Sequence, residues 1–266
     1  YDPGYFDYAG HRYRDWKRTG HGLIDMHDSI VQSCDTYYYE LSLDMGVDAL
    51  HDTMSPFGFG AKTNVDMHGE SKGILPSQAW KRATKGKPWY RGETIISSIG
   101  QGYNLTTPLQ LAKATAILAN RGKIIQPHLL RSPEKEVLTD QVAIKKISNW
   151  DKVIKAMEDV MHGKKGTARR HGKGLPFKLA GKTGTAQVFS LNQGEYNPEE
   201  LEKRLHDHSL FIGFAPINNP KIAVAVIAEN AGSGSKKAAP MSVKLIKEYL
   251  SQYQKEEPKP NETGTP

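Results

Sequence analysis

Two short motifs, far apart in the chain, carry side chains that could bind and process a peptide. The first is Lys182–Thr185, a Lys-Thr-Gly-Thr run that we expect on a strand. The lysine offers a positive charge, the hydroxyls can bind a carboxylate, and the glycine lets a substrate backbone approach closely. The second is Ser33–Asp35, which places a serine and a carboxylate on a helical segment. Each motif alone is equally typical of a turn or a helix cap, so only the pair points to chemistry.

The first 34 residues also contain a possible set of metal ligands. A thiolate, an imidazole and two carboxylates form a chemically sensible tetrahedral zinc site. Their spacing matches none of the common zinc-finger patterns, so a packed cysteine beside solvated acids remains the alternative. The side chains are Asp2, Asp15, His21 and Cys34, with His11, Asp25 and His27 as spare candidates.

Two further segments combine glycine with polar residues. Gly100–Gly102, followed by Thr106–Gln110, predicts a strained loop that leads into a capped helix. Tight packing of this connection beneath a sheet explains the pattern as well as a functional role does. Gly166–Ala168 has a similar composition to the Lys182 motif but lacks a hydroxyl residue between lysine and glycine, so we predict a loop there.

The elements that must position these residues are helices first and strands later, which predicts an α+β domain. Apolar periodicity, caps and glycine stops predict helices over 28–45 (with a kink at Ser33–Asp35), 47–57, 108–120, 149–162 and 240–254. Strand pieces are predicted over 177–180 and 186–189, and an antiparallel hairpin over 209–215 and 222–229. Residues 1–22 are expected to form an ordered loop and residues 255–266 a disordered tail.

Composition limits the class of protein. The 266 residues carry a formal net charge of +7, concentrated in the acid-free stretches 81–91 and 164–182. We interpret these stretches as solvated faces, with an anionic partner as the alternative. Because no helix-turn-helix, zinc finger or aromatic-basic platform accompanies them, nucleic acid is not an expected partner. The longest strongly apolar run, Ile222–Ala228, is too short to cross a membrane, and the single cysteine excludes an intrachain disulfide.

Together the motifs resemble class B penicillin-binding proteins, whose active sites combine Ser-x-x-Lys, Ser-x-Asn or Ser-x-Asp, and Lys-Thr-Gly. The resemblance covers nearly the whole chain except the tail. It implies the penicillin-binding/β-lactamase-like transpeptidase fold, an antiparallel sheet packed between helices, as a partial domain over residues 1–254 with its N-terminal part missing. Three segments resemble class B penicillin-binding proteins in general: Gly100–Gln110, Lys182–Gln187 and Ala215–Pro220. Four segments near the start of the chain resemble, more specifically, the elongation-specific transpeptidases of Gram-negative rods: Asp2–Gly4, Arg12–Lys17, Gly20–Gly22 and Ser33–Thr36.

The resemblance also implies a role for individual residues. Ser33 corresponds to the serine that shuttles protons to the leaving group, Asp35 stands where many relatives have asparagine, and Lys182 corresponds to the third-motif lysine. Thr185 would contact the substrate carboxylate, and the backbone near Ala186–Gln187 would contribute to the oxyanion hole. The implied substrate-binding set is Thr183, Gly184, Thr185, Ala186 and Gln187. A structural zinc ion at Asp2, Asp15, His21 and Cys34 is implied as well, because several relatives carry a site of this composition.

The acylated serine of the family is missing from its expected place. It lies in Ser-x-x-Lys upstream of the second motif, yet none of the 32 residues before Ser33 begins that pattern. Matches at Ser132–Lys135 and Ser233–Lys236 come too late in the chain and are interpreted as accidental. We therefore expect a C-terminal part of a transpeptidase, with the nucleophile and membrane anchor before Tyr1. The chain alone is predicted to form no acyl-enzyme.

The implied function is a peptidoglycan D,D-transpeptidase that cross-links D-Ala-D-Ala stem peptides during cell elongation and is acylated by β-lactams. Its expected place is the periplasmic face of the bacterial inner membrane, with a membrane glycosyltransferase and scaffold proteins of the elongation machinery as partners. The absent nucleophile keeps open a non-catalytic penicillin-recognising or cell-wall-sensing module. A serine β-lactamase-like hydrolase is the other alternative, which the long connection Gly194–His208 disfavours.

Overall fold

The computed structural model describes residues 1–130, 140–188 and 202–256. The helices are α1 (Met26–Gln32), α2 (Asp35–Met54), α3 (Gln78–Lys85), α4 (Arg91–Ser97), α5 (Pro108–Ala119), α6 (Ser148–His162), α7 (Arg169–Gly172) and α8 (Ala238–Glu256). The strands are β1 (Tyr5–Tyr8), β2 (His11–Arg14), β3 (Ala180–Ala186), β4 (His208–Ala215) and β5 (Ile222–Ala228). None of the described helices combines the length and the apolar character that a membrane span requires.

The main sheet has the strand order β3-β4-β5, and both neighbouring pairs are antiparallel. The register places Ile212 of the central strand β4 opposite Lys182 on one side and Ala225 on the other. The predicted β4–β5 hairpin is therefore confirmed. Among the described strands β3 pairs only with β4, which leaves its second edge open. An open edge presents backbone donors and acceptors to an extended peptide.

Helices cover both faces of this sheet. Phe211 and Phe214 on β4 are buried and, three residues apart, point to opposite faces. Phe211 lies in a core cluster with Ile246 of α8, whereas Phe214 lies in a second cluster with Met157 of α6. Burying each phenylalanine contributes about 2–3 kcal/mol to folding. The α+β architecture with an antiparallel sheet between helices is confirmed.

The predicted break in the first helix is present. α1 ends at Ser33, whose φ of 59° is left-handed, and α2 begins at Asp35. Polar residues with short side chains compete with the helical backbone for hydrogen bonds, which favours a break at this place. The separate helix predicted after Gly46 is confirmed, because Gly46 is non-helical with a φ of 77° and divides α2 into two helical segments across a kink.

Helix starts were predicted with mixed success. Thr107 caps α5 by accepting a hydrogen bond from Gln110 N, and Pro108 occupies the first turn as predicted. For α6, the sequence of Ser148 and Asp151 resembles a capping box and predicts a cap by these residues, but Ser148 already lies inside the helix and no side chain caps its start.

The strand predictions also needed correction. The Lys182 motif lies within one strand, since β4 pairs continuously with residues 180–186, and not between two separate pieces. Residues 1–22 contain the β1–β2 hairpin as well as loops. Residues 255 and 256 of the predicted disordered tail complete α8. Residue 189, Ser132–Lys135, residues 257–266 and most of the Gly194–His208 connection lie outside the described residues.

The basic stretch 81–91 is not a uniformly solvated face, as the sequence suggested. Lys81 is only 2% exposed, and its Nζ lies 2.6 Å from both carboxylate oxygens of Glu93. The ammonium group also lies 4.5 Å from the centroid of the Tyr90 ring. A buried lysine requires such partners, because an unpaired charge in the interior is costly. The partner carboxylate comes from α4, just outside the stretch.

Candidate active site

Ser33 and Lys182 meet although 149 residues separate them in the chain. Lys182 Nζ donates to Ser33 Oγ at 2.7 Å and to Thr183 O at 2.9 Å. Ser33 occupies the break between α1 and α2, which places its hydroxyl beside β3. Burial lowers the pKa of Lys182 to about 8, against the opposing charge of Asp35. An amine that titrates this close to neutral pH can both hold and pass on a proton.

Asp35, the third residue of the predicted catalytic set, lies at the start of α2. Its Oδ2 accepts a hydrogen bond from Trp16 N at 3.2 Å, and its own N–H donates to Asp15 Oδ2 at 2.7 Å. Burial, followed by the negative charge of Asp15, raises the pKa of Asp35 to about 7. The positive charge of Lys182 acts in the opposite direction. The structure therefore brings Ser33, Asp35 and Lys182 into one electrostatic environment.

The other predicted substrate-binding residues follow Lys182 along β3. Thr183 and Gly184 are half-buried, Thr185 and Gln187 are exposed, and Ala186 pairs with His208 of β4. The exposed residues lie where an extended ligand added to the open edge of β3 would reach them.

Two residues that the sequence did not assign contact this strand. Thr167 Oγ1 lies 3.0 Å from Thr183 Oγ1, and Gln101 Nε2 donates to Thr185 O at 3.0 Å. Thr167 belongs to the Gly-Thr-Ala run that was predicted to be a plain loop, and Gln101 to the Gly-Gln-Gly run. Their glycine-rich neighbourhood was the available signal, but it does not reveal which strand they approach.

The segment that leads into α5 serves mainly to pack this helix against neighbouring parts of the chain. Gln110 is fully buried; its Oε1 accepts from Thr107 N at 2.9 Å, and its Nε2 donates to Ala61 O at 2.7 Å and Lys72 O at 2.9 Å. These bonds connect the start of α5 to the segments around Ala61 and Lys72. Tight packing therefore explains this segment better than a functional role does. The exception is Gln101, which donates a hydrogen bond to Thr185 O of β3.

The turn after β5 packs directly against β3 and β4. A Cβ atom at Gly234 would overlap the carbonyl oxygens of Gly184 and Leu210, so only glycine fits. The same turn contains the late Ser-x-x-Lys match, where Lys236 N donates to Ser233 O at 3.0 Å. This region thus supports the strand that carries the Lys182 motif.

The four predicted metal ligands converge beside the Ser33–Lys182 pair. One potential ligand atom from each lies within 4.8 Å of the others. His21 Nδ1 lies 2.6 Å from Asp2 Oδ2 and 3.6 Å from Asp15 Oδ1, and Cys34 Sγ lies 3.5 Å from Asp2 Oδ2. The spare candidates His11, Asp25 and His27 are not part of this cluster.

The electrostatics of this cluster favour a bound cation. Asp2 and Asp15 are at most 2% exposed. In the described part of the chain, the ion pairs of both carboxylates are with His21. Burial acts to raise the pKa of Asp2, but hydrogen bonds from Gly4 N and His21 outweigh it and lower that pKa to about 2. Burial raises the pKa of Cys34 to about 12, so the thiol keeps its proton unless a metal displaces it. His21 Nε2 is buried without a hydrogen-bond partner in the described part of the chain.

Asp15 connects the cluster of predicted metal ligands to the Ser33–Asp35 segment. Its Oδ2 accepts from Asp35 N at 2.7 Å and from Thr36 N at 3.3 Å, the first amides of α2. A carboxylate at a helix N-terminus satisfies free amides and interacts favourably with the helix dipole. The N-terminal loop is thereby fixed beside Ser33.

The family described as "Penicillin binding protein transpeptidase domain" matches residues 2–247. The chain belongs to this family. It is 43% identical over 263 residues to "Peptidoglycan D,D-transpeptidase MrdA" of Haemophilus influenzae, a match that covers 95% of this chain and 40% of that protein. The expectation drawn from the sequence motifs is therefore confirmed at the level of the penicillin-binding transpeptidase family.

Solved structures of penicillin-binding proteins share the fold. Pseudomonas aeruginosa PBP2 in complex with WCK 5153 matches with a TM-score of 0.84 and 45% identity, over 94% of this chain and 53% of that chain. The complex between PBP2 and MreC from Helicobacter pylori matches with a TM-score of 0.84 and 31% identity, over 96% of this chain and 45% of that chain. This penicillin-binding domain thus spans about half or less of the proteins it matches.

Proposed function

We propose that this chain forms the C-terminal part of a peptidoglycan D,D-transpeptidase that cross-links D-Ala-D-Ala stem peptides during cell elongation. The observation that carries the proposal is the 2.7 Å contact between Lys182 Nζ and Ser33 Oγ beside an open strand edge. Membership in the family and the similarity to a protein named peptidoglycan D,D-transpeptidase support the same activity. β-Lactams, which present a reactive carbonyl and a carboxylate, would acylate this site.

The nucleophile of this reaction is a serine in a Ser-x-x-Lys segment that the complete protein supplies upstream. Its hydroxyl oxygen gives up its proton and forms an ester with the carbonyl carbon of the penultimate D-Ala, and the bond from that carbon to the terminal D-Ala nitrogen breaks. That nitrogen takes up a proton as it leaves. An acceptor amine then attacks the ester, and the serine oxygen recovers its proton as the new amide forms.

Ser33, Lys182 and Asp35 would manage these protons. Ser33 Oγ can accept from Lys182 Nζ while its own proton is donated to the leaving nitrogen, and Lys182 can replace that proton. Because the pKa of Lys182 is lowered to about 8, this transfer is less uphill than from an ordinary lysine. The substrate would lie along the open edge of β3, where Thr183–Gln187 bind its carboxylate and its developing oxyanion.

Covalent labelling by a fluorescent penicillin tests this proposal. The complete protein should be labelled, and Lys182→Ala should lower the second-order acylation constant by about 100-fold or more. Lys152→Ala, an exposed lysine on α6, is the matched control and should label normally. The 266-residue chain alone should take up no label. Labelling of the chain alone, or normal labelling of Lys182→Ala, would contradict the proposal.

We also propose that Asp2, Asp15, His21 and Cys34 hold a structural Zn²⁺ ion. The support is the convergence of sulfur, nitrogen and two oxygens within 4.8 Å, with two buried carboxylates and an unpartnered buried ring nitrogen. Bound zinc supplies the positive charge that this set of acids lacks. The role of the ion is to hold the N-terminal loop against the start of α2, beside the catalytic serine.

Metal analysis with thermal unfolding tests the zinc proposal. The protein purified without chelator should contain about one equivalent of zinc, and Cys34→Ser should lose it and unfold at a lower temperature. His27→Ala, a histidine outside the cluster, is the control and should retain the metal. Less than about half an equivalent in the wild type, together with a melting temperature that a chelator does not change, would refute the site.

The place and partners of the complete protein are proposals too. We infer that it acts at the periplasmic face of the inner membrane, held by an anchor outside this chain. Its partners would be scaffold proteins and a membrane glycosyltransferase. The similar Helicobacter pylori PBP2 was solved in complex with MreC, and a chain of a peptidoglycan synthase complex that coordinates polymerization and crosslinking is 29% identical to this one. Cross-linking in cells followed by mass spectrometry should recover both kinds of partner with the complete protein. Recovery of cytoplasmic proteins alone would contradict this placement.

A further inference from the structure

A cleft lies beside the Ser33–Lys182 pair, between the N-terminal loop, the end of α1 and the connection from α6 to α7. Two of its lining residues adjoin the active site: Gln32 precedes Ser33, and Thr167 Oγ1 lies 3.0 Å from Thr183 Oγ1. The volume of the cleft is about 250 Å³. Because this is smaller than a pocket for a whole ligand, the cleft suits one group of a larger substrate.

One wall of the cleft is Trp16, which the chain holds in place although 58% of the residue is exposed. Its Nε1 donates to Gln32 O at 3.2 Å, and its backbone N–H donates to Asp35 Oδ2 at 3.2 Å. The centroid of its ring also lies 5.7 Å from that of His21. Because these contacts fix the ring, ligand binding does not have to order this wall of the cleft.

The lining of the cleft is positively charged. Among the described residues it contains Lys17 and Lys165 and no aspartate or glutamate, and His21 is the one predicted metal ligand that reaches it. Lys165 Nζ is paired with Asp28 Oδ2 at 3.0 Å, so its charge is partly compensated. Lys17 contacts Asp15 through its backbone N–H, at 2.9 Å from Oδ1, which does not use its ammonium group. A lining with lysines and without acids favours an anionic ligand, and the anionic group of a peptide is a carboxylate.

The position of the cleft indicates which half of the reaction it serves. Ser33 directly follows Gln32 and, in the proposed mechanism, donates its proton to the leaving nitrogen. The acceptor amine attacks the ester from the place that this nitrogen has vacated, because the second half of the reaction reverses the geometry of the first. A substrate group in the cleft therefore belongs to the acceptor peptide, close to its attacking amine.

We propose that this cleft binds a carboxylate of the acceptor peptide, on the residue that carries the attacking amine. Lys17 and Lys165 supply the positive charge, and the Trp16 ring packs on the aliphatic part of that residue. The inference rests on the proposed transpeptidase function. It adds the chemistry of the acceptor, a peptide with an amine and a free carboxylate on one residue, whereas the terminal carboxylate of the donor peptide keeps its separate place on β3.

Competition between two acceptor peptides tests the inference on the complete protein, with a D-Ala-D-Ala peptide as the donor. The acceptors are identical except that the carboxylate beside the attacking amine is free in one and amidated in the other. The readout is the ratio of the two cross-linked products, acid over amide, by mass spectrometry. Comparing this ratio between variants removes the intrinsic difference in reactivity between the two amines.

The wild type should favour the acid acceptor. Lys17→Met should lower the ratio about 3- to 5-fold, because it removes the uncompensated charge, and Lys165→Met should lower it about 2-fold. Lys17→Arg keeps the charge and should keep the ratio. If Lys17→Met does not fold, Lys17→Gln against Lys17→Arg makes the same comparison. Lys164→Met is the matched control and should leave the ratio unchanged, because Lys164 is exposed in the same connection and does not line the cleft.

Acylation by benzylpenicillin, which requires no acceptor, separates acceptor binding from a structural role. Its rate should be the same in the wild type and in all these variants. A wild type without preference for the acid acceptor, a preference that Lys17→Met and Lys165→Met leave intact, or a loss of preference that accompanies equally slow acylation overturns the inference. A wild type that benzylpenicillin does not acylate overturns the proposed function, and this inference with it.

Discussion

Replacing Lys182 by methionine should separate stability from activity. Burial lowers the pKa of Lys182 from 10.5 to about 8, so keeping its charge in the folded state at pH 7 costs about 3 kcal/mol. Methionine removes that cost and also removes the hydrogen bonds to Ser33 Oγ and Thr183 O, together about 2 kcal/mol. Lys182→Met should therefore be about 1 kcal/mol more stable than the wild type at pH 7 while losing penicillin acylation.

The pH dependence of this difference has a definite sign. Between pH 8 and 10.5 the unfolded protein binds more protons at Lys182 than the folded protein does, so wild-type stability rises with pH relative to the variant. The advantage of Lys182→Met should shrink above pH 8 and reverse at about pH 9. Urea unfolding of both proteins from pH 7 to 10 measures the difference, in which titrating groups that do not interact with Lys182 cancel. A variant about 2 kcal/mol less stable at pH 7, or a difference independent of pH, would refute the reasoning.

Two further changes test the packing that supports the site. Glu93→Gln leaves Lys81, only 2% exposed, without its counter-charge, and it should lower the free energy of unfolding in urea by about 2–3 kcal/mol. Lys81→Met should lower it less, because this variant removes the buried charge itself. Equal losses in both variants would contradict this. Gly234→Ala forces a methyl group onto Gly184 O and should lower the melting temperature by about 4 °C or more, with weaker penicillin labelling. Gly92→Ala on α4 should lower the melting temperature less, because its methyl group would meet only the terminal hydroxyl of the Tyr13 side chain. An unaffected Gly234→Ala would show that β3 tolerates the added methyl.

The residue types indicated which residues are candidates for the catalytic set, but they did not indicate how those residues are arranged in space. The short polar residues of Ser33–Asp35 predicted a helix break, and the break is where Ser33 turns toward β3. Nothing in a separation of 149 residues indicates that Ser33 and Lys182 touch, and the resemblance to a known family supplied that expectation. The strand itself was predicted as two pieces, because the motif contains glycine and polar residues that are uncommon in strand interiors. Pairing with β4 over all seven residues outweighs that local preference.

The cluster of proposed metal ligands shows that the sequence indicated residue types but not their arrangement. Its ligand types were visible in the sequence, but the hairpin that brings Asp2 and Asp15 together was not predicted. β1 and β2 have only four residues each and little apolar alternation. The backbone bonds that close this region, Asp15 N to Gly4 O at 3.0 Å and Asp2 N to Gly22 O at 2.8 Å, depend on the folded loop.

Contacts with residues distant in the sequence determine the environments of the residues that the sequence analysis interpreted wrongly. Lys81 lies in a basic stretch and was interpreted as solvated, yet Glu93 and the Tyr90 ring make its burial possible. Thr167 lies in a loop that matched no motif, and it gains significance only because Thr183 faces it. A local pattern describes neither relation, because both depend on elements that meet only in the folded chain.

Locating the acylated residue tests the central claim most directly. The complete protein is reacted with penicillin, digested, and the adduct is assigned by mass spectrometry. The account predicts one adduct, on the serine of a Ser-x-x-Lys segment upstream of Tyr1, with Ser33 unmodified. An adduct on Ser33 or on any other residue of this chain, or the absence of any adduct, would contradict it.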